Sequence, residues 1–397
     1  MVQVKDLTQL NLKDLWREVK DEEAWWGEIN GEVLSLVKLF LESSLDEEVL
    51  EELKVNRYRR SDQRRGYRNG HYERSLCTRY GIIKTLRVPR TREGFTSTVL
   101  PHYQRRPSDV DSLVRECFLG GLSTRRVGEV LAPLCGEQIS PQTVSRITMK
   151  LNNEVQTYHN RLLGDDYQYL LLDGVTLKVK SVAGVKKRLV LCAYGITPGG
   201  KRELISFRQR ASESEVQWES FLENLYRRGL EGRNLKLIVT DGCPGLHKAL
   251  DTVYPFIPKQ RCWAHKLRNI AAKLPRKIQA TCLMEAKGIY QSPTQREARK
   301  RFRDWARHWR ALAPRAVTCL EADMDEMVNF LDCPKEHWRK IRTTNAIERA
   351  FREVRRRTRP MSCFQNSASV DRIIYGVIGY LNKKWEGKPL FQFTQLS

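Results

Sequence analysis

Near its C-terminus the chain reads Arg342-Thr343-Thr344-Asn345-Ala346-Ile347-Glu348-Arg349 and continues as an arginine ladder. From Arg342 through Arg359 it holds seven arginines and two glutamates, with apolar positions too sparse for a fully buried helix. Helical spacing puts Glu348, Arg352 and Arg355 on one face, at intervals of four and seven residues. A carboxylate among phosphate-seeking guanidiniums makes a poor core and a sensible metal ligand beside a nucleic-acid backbone. Such a ligand needs partner carboxylates.

Asp173 and Asp241 are the candidates. Each follows an apolar strand-like run, Tyr167 to Leu172 and Leu235 to Thr240, and each precedes a glycine. In an open α/β sheet the strand ends converge on the functional crevice. Two carboxylates there, with Glu348 from a helix, suit two hard divalent cations that take oxygen ligands. That arrangement drives in-line phosphoryl displacement. One Asp-Gly alone reads as a turn; two at strand ends, joined by Glu348, outweigh that reading. Glu353 is a rival to Glu348 but points off its helix face, and Asp165 and Asp166 precede the strand that Asp173 ends.

The segment Gln260-Arg261-Cys262-Trp263-Ala264-His265-Lys266-Leu267-Arg268-Asn269 is the second chemical feature. Its Cys-x-x-His spacing invites zinc, but zinc needs about four ligands and no second Cys/His pair stands nearby. Cys262 reads instead as core, with His265, Lys266 and Arg268 opening a helix near the carboxylates.

The elements that position these groups follow from patterning. Residues 1–53 carry 14 acids and 5 bases, with Leu34, Leu36, Val37, Phe40 and Leu41 at helical spacing, and read as helices that pack against a partner or a second copy. The remaining chain carries 65 bases against 33 acids, a net of +32, which calls for a polyanion such as DNA or RNA. From Lys54 to Arg74, bases interleave with tyrosine and glycine as in a flexible arm following phosphates. Gly81 to Pro89 reads as a strand ended by proline. Ser123 caps a helix, a turn runs through Pro133, Cys135 and Gly136, and Ser140-Pro141 opens a second helix presenting Gln142, Thr143, Ser145 and Arg146. This pair is similar to a helix-turn-helix.

After Asp173, Thr176 to Val182, Arg188 to Ile196 and Glu203 to Phe207 read as strands, the last at an edge, and Val216 to Tyr226 as a helix. A final strand lies around Cys262-Trp263. Residues 271–340 are helical and rich in Lys, Arg and Trp. The whole is a mixed α/β protein. Ten cysteines without any Cys-x-x-Cys pair, a polar start at Lys5 and Asp6, and no apolar run near the roughly 20 residues a bilayer needs describe a reduced, soluble, intracellular chain.

In combination, Leu172-Asp173-Gly174, Val239-Thr240-Asp241-Gly242, Cys262-Trp263-Ala264-His265 and the Arg342–Arg349 segment resemble the Mutator-type family of bacterial insertion-sequence transposases. Gly66-Tyr67-Arg68-Asn69-Gly70, Val88-Pro89-Arg90-Thr91-Arg92, Gly121-Leu122-Ser123-Thr124-Arg125 and Ser140-Pro141-Gln142-Thr143-Val144-Ser145 extend the resemblance, in order, over residues 55 to 382. It implies a ribonuclease-H-like mixed-sheet core with an all-helical insertion, after a mainly helical DNA-binding region containing the helix-turn-helix. The expected divisions are 1–53 acidic helices for oligomerisation, 54–160 DNA binding, 161–270 first part of the core, 271–340 insertion and 341–397 the last core helices. Asp173, Asp241 and Glu348 fall on the metal-binding acid positions, with Cys262, His265 and Asn345 as support.

Mg²⁺, with Mn²⁺ as substitute, is the implied cofactor. The implied partners are double-stranded DNA, as terminal inverted repeats and target, and at least one further copy of the chain, with no membrane, in the bacterial cytoplasm. Arg268, Arg349, Arg352, Arg355 and Arg356 are expected on phosphates, and Gln142, Thr143, Ser145 and Arg146 on the repeats. Gly174 departs from the small residue expected after the first acid. A structure-specific nuclease on the same fold, and a DNA-binding regulator derived from a transposase, are the competing readings; the intact acid set argues against the regulator.

Overall fold

The computed structural model describes residues 22–56, 59, 61–78, 80–100, 108–135, 138–181, 184–358 and 366–394. Lys5, Asp6, the turn glycine Gly136 and Arg359 lie outside the described residues. The chain divides into two compact units between Met149 and Lys150.

In the first unit, α1 (Glu22–Leu53) lies against a two-stranded antiparallel ribbon of β1 (Arg68–Thr78) and β2 (Gly81–Thr91). Leu34, Val37, Leu41 and Leu45 of α1 bury Leu76, Ile83, Leu86 and Val88 of the ribbon, whereas Phe40 is 74% exposed. The segment expected as a flexible arm over Lys54–Arg74 is thus a strand from Arg68 onward. Tyr72 and Leu76 alternate with the exposed His71, Glu73 and Ser75, and pairing with β2 satisfies the backbone. Pro89 does not end β2: it pairs with His71 beside a register irregularity, in a two-stranded ribbon where each strand is an edge and proline is tolerated.

Three helices follow, α2 (Ser108–Leu119), α3 (Thr124–Cys135) and α4 (Pro141–Met149). The serine caps are as the sequence predicts: Ser123 Oγ accepts the Arg126 amide at 3.2 Å, and Ser140 Oγ accepts the Thr143 amide at 3.3 Å. Pro133 and Cys135 lie inside α3, in its last turn, rather than in the turn that follows. Gly128 lets α3 and α4 close: a Cβ there would stand 2.1 Å from the Ile139 carbonyl oxygen.

The second unit begins with α5 (Leu151–Asn160) and holds a five-stranded mixed sheet in the order β5-β4-β3-β6-β7. The strands are β3 (Tyr169–Ser181), β4 (Gly184–Ile196), β5 (Arg202–Arg210), β6 (Leu237–Thr240) and β7 (Lys259–Arg261). β3, β4 and β5 run antiparallel, and β6 and β7 run parallel to β3. The two strands expected on either side of Asp173-Gly174 are one 13-residue strand. Pairing with β4 continues through Asp173 opposite Cys192, so no turn forms there. Asp173 instead marks where the parallel ladder with β6 stops, at Leu172 opposite Thr240.

Period-two alternation sorts the faces of the sheet. Leu170 and Leu172 face α6 (Glu215–Arg227) and α7 (Pro244–Val253), whose Trp218, Phe221, Leu225, Leu246 and Leu250 complete that core. Asp173 therefore faces the opposite side. β7 runs through Cys262 into α8 (Trp263–Ala271), so Cys262 caps the helix rather than ending a strand.

The chain then leaves the sheet. α9 (Arg276–Tyr290), α10 (Gln295–Trp309), α11 (Pro314–Glu321), α12 (Met324–Met327) and α13 (Trp338–Ile341) form a helical excursion. α10 buries Phe302, Trp305 and Trp309 and turns its bases outward. The excursion is anchored at the sheet edge: Trp263 Nε1 donates to the Met327 carbonyl at 2.8 Å, and the Phe330 amide to Gln260 Oε1 at 2.9 Å. α14 (Asn345–Thr358), α15 (Ser367–Trp385) and α16 (Phe391–Thr394) close the unit. Among the described residues no helix is long and apolar enough to cross a membrane, and every described cysteine is a free thiol.

Candidate active site

The β3–β6 register sets the first two carboxylates side by side. Leu172 pairs with Thr240, so Asp173 and Asp241 are the next residues on neighbouring parallel strands. Gly242 follows at φ +94°, a conformation that glycine adopts without strain. Asp241 Oδ1 accepts the Cys243 amide at 3.0 Å, which fixes its backbone turn.

Asp173 is 4% exposed, and its Oδ2 has no hydrogen-bond partner among the described residues. Burial, and then the charge of Asp241, push its carboxyl up to about 7. His265 and the Thr344 hydroxyl oppose that shift, and Glu348 adds to it. A buried carboxylate with an unpartnered oxygen beside other carboxylates is short of positive charge.

The third acid arrives on α14, whose buried Ile347, Ala350, Phe351 and Val354 face the sheet while Arg349, Arg352, Arg355 and Arg356 stay exposed. Glu348 is held from two sides. Arg268 of α8 donates to both its oxygens, at 2.9 and 3.2 Å, and His265 Nε2 stands 3.5 Å from Oε1. The Arg268 pair holds the Glu348 carboxyl below the usual range. Beside His265, the Cys262 sulfur raises the imidazole to about 9, ahead of the charges of Asp173 and Asp241. Burial works against the Cys262 thiolate, but His265 and the Thr344 amide more than offset it, and the thiol lies below its ordinary range.

Arg268, expected on phosphates, is thus engaged with Glu348. Asn345 is the first residue of α14. Gln142 and Arg146 are exposed on α4, with Thr143 and Ser145 half-buried. Two of the three rival acids have other work. Glu353 pairs with Arg356 at 3.0 Å and Arg357 at 2.8 Å, and Asp165 accepts the Gly232 and Arg233 amides at 2.7 and 3.0 Å. Lys266 turns away to Asp323 and the Cys319 carbonyl.

Two residues near the acids were missed from sequence. Thr344 donates its amide to Cys262 Sγ at 3.3 Å; its place just before Asn345, at a helix start, was the available signal. Glu213 lies over Gly174: a Cβ on that glycine would meet Glu213 Oε1 at 2.8 Å. Burial, and then Asp241, raise the Glu213 carboxyl. Nothing in the polar run before α6 marks it. The Gly174 departure now has a physical reason, since the missing side chain leaves room for this fourth carboxylate.

The donor set suits a hard divalent cation: carboxylate oxygens around a buried, unpartnered Asp173 oxygen. As placed, no three His, Cys, Asp or Glu side chains among the described residues form a ready-made metal cage. Glu348, turned to Arg268, accounts for part of this.

The transposase model of the Mutator family matches residues 8–387 of the chain. Among similar proteins, the transposase for insertion sequence element ISRM5 of Rhizobium meliloti is 33% identical over 88% of this chain and 87% of its own length. The transposase for element IS256 in transposon Tn4001 of Staphylococcus aureus is 34% identical over 84% and 86%. The transposase for IS1081 of Mycobacterium tuberculosis is 30% identical over 83% and 80%. With its acids, its Cys-x-x-His pair and nearly its full length inside that match, the chain belongs to the Mutator family of transposases.

Proposed function

We propose that the protein is a DDE-type DNA transposase that binds the terminal inverted repeats of its element, cleaves the strand there and joins the freed end to target DNA. One observation carries this reading. Asp173 and Asp241 follow directly on the paired residues Leu172 and Thr240 of β3 and β6, and burial, then the charge of Asp241, push the Asp173 carboxyl up to about 7. The strand order, with antiparallel β3–β5 followed by parallel β6 and β7, supports a ribonuclease-H-like core.

Asp173, Asp241 and Glu348 would hold Mg²⁺, or Mn²⁺ in its place. When bound, the cations supply Lewis-acid polarisation of the phosphate and neutralise charge on the leaving oxygen. The chain's own groups do the rest. Asp173 gains the positive charge that its burial demands. Arg268, paired with Glu348, steadies that carboxylate, and the exposed Arg349, Arg352, Arg355 and Arg356 line the same helix to take phosphates. Cleavage frees a 3′-hydroxyl, and attack by that hydroxyl on a target phosphodiester is a second transfer at the same acids. No covalent protein intermediate is required. α3 and α4, as a helix-turn-helix, present Gln142, Thr143, Ser145 and Arg146 to the inverted repeats. Paired ends call for at least a dimer, acting in the bacterial cytoplasm.

The test is strand cleavage and joining on duplex DNA ending in the inverted repeats, with Mg²⁺ or Mn²⁺. Wild type is compared with Asp173→Ala, Asp241→Ala and Glu348→Ala. Loss of both reactions in all three, with DNA binding retained, is the expected result. Cleavage without joining in the wild type favours a nuclease, and binding without metal-dependent chemistry favours a regulator.

A further inference from the structure

Thr344 belongs neither to the carboxylate set nor to the Cys-x-x-His pair, yet it reaches each part of the site through a different atom. Its amide donates to Cys262 Sγ at 3.3 Å, and its hydroxyl stands 3.6 Å from the same sulfur. Its carbonyl accepts the amides of Ile347 at 2.9 Å and Glu348 at 3.4 Å, which sets the first turn of the helix that aims Glu348. The hydroxyl also opposes the rise of the Asp173 carboxyl, and Thr240, which Cys262 holds, pairs with Leu172, the residue before Asp173. Cys262 extends the connection: its amide donates at 2.7 Å to the carbonyl of Thr240, the residue before Asp241. Alongside, the Trp263 amide donates to the Arg342 carbonyl at 3.0 Å.

Thr344 and Cys262 are 0% and 1% exposed, so water does not compete for these contacts. A threonine at a helix start ordinarily turns its hydroxyl onto the first amides of its own helix. Here the hydroxyl turns to the sulfur of Cys262. Sulfur suits the junction, because a large polarisable acceptor reaches donors at distances where an oxygen falls short.

We propose that Thr344 and Cys262 form a positioning hub, which holds the strand of Asp173, the strand end before Asp241 and the helix of Glu348 in mutual register. The proposal rests on the carboxylate reading given above. Thr344 acts through the acids and takes no part in bond making.

The test uses the full-length protein bound to uncleavable end DNA and titrates Mn²⁺ by electron paramagnetic resonance. Cleavage rate, DNA affinity and melting temperature are measured alongside. Thr344→Val removes the hydroxyl and keeps the shape and the amide; Thr344→Ser keeps the hydroxyl. The expected result is that Thr344→Val weakens Mn²⁺ binding by about 10- to 100-fold and slows cleavage, with DNA affinity and melting temperature near wild type. Thr344→Ser restores both functions. Cys262→Ser, with its shorter reach, shows the same Mn²⁺ defect.

Wild-type Mn²⁺ affinity in Thr344→Val overturns the hub. So does failure of Thr344→Ser to rescue when both variants melt early, which marks a packing role alone. If wild type binds no Mn²⁺ on end DNA, or Asp173→Ala still cleaves, the carboxylate reading itself falls and takes the hub with it.

Discussion

At the scale of single residues, the two glutamates of α14 show how context assigns roles to identical side chains. Glu348 turns toward Arg268 and His265, while Glu353 is bound to Arg356 and Arg357 on the exposed side. Glu353→Gln is therefore expected to retain cleavage and to cost less than about 1 kcal/mol of stability, since exposed helical ion pairs contribute little. Strand-cleavage assays and urea unfolding check this, and a Glu353→Gln protein without cleavage overturns the choice of Glu348. The separation was legible in sequence, because a helix places positions 348 and 353 on different faces. The Arg268 pair was not legible. It joins residues 80 apart, and nothing in either local segment encodes their approach.

Among the elements, β7 and α12 are joined through charge. Glu326 of α12 meets Arg261 of β7 and, at 3.3 Å, His247 Nδ1 of α7. Burial opposes ionisation of Glu326, but hydrogen bonds from His247 and Arg261 outweigh it and bring its carboxyl down to about 2. A carboxyl lowered on folding stabilises the fold above its ordinary value of 4.5, and that support fades as pH falls toward 2. Glu326→Gln is thus expected to lower stability by roughly 1–3 kcal/mol near neutral pH. The gap from wild type should shrink below pH 4.5, as thermal unfolding across pH will report. A gap that widens on acidification refutes the assignment. Local pattern predicted β4, β5 and β6, the serine caps and the helical character of the stretch after α8. It failed where a partner decides the outcome. β4 carries β3 straight through Asp173-Gly174, and β2 draws Arg68–Thr78 into a ribbon that composition alone reads as an arm.

For the molecule as a whole, the decisive quantity is charge. With +23 over 397 residues, DNA affinity should fall steeply and linearly on a log–log plot against salt. Each phosphate contact adds about 0.9 to the slope, so a triple Arg352→Gln, Arg355→Gln, Arg356→Gln variant should lose roughly 2 to 3 of it. Fluorescence anisotropy between low and moderate salt measures both slopes, and an unchanged slope removes these arginines from the DNA surface. The bond from the Trp263 amide to the Arg342 carbonyl carries one more consequence. The chain departs the sheet at one of these residues and returns at the other, so the helical excursion between them is tied off at its neck. Changes in its length are then absorbed inside a closed circuit, and the distal bend around 291–294 can vary while the geometry at the neck stays still. A change of loop length at that bend should therefore leave the hold of His265 and Arg268 on Glu348 intact.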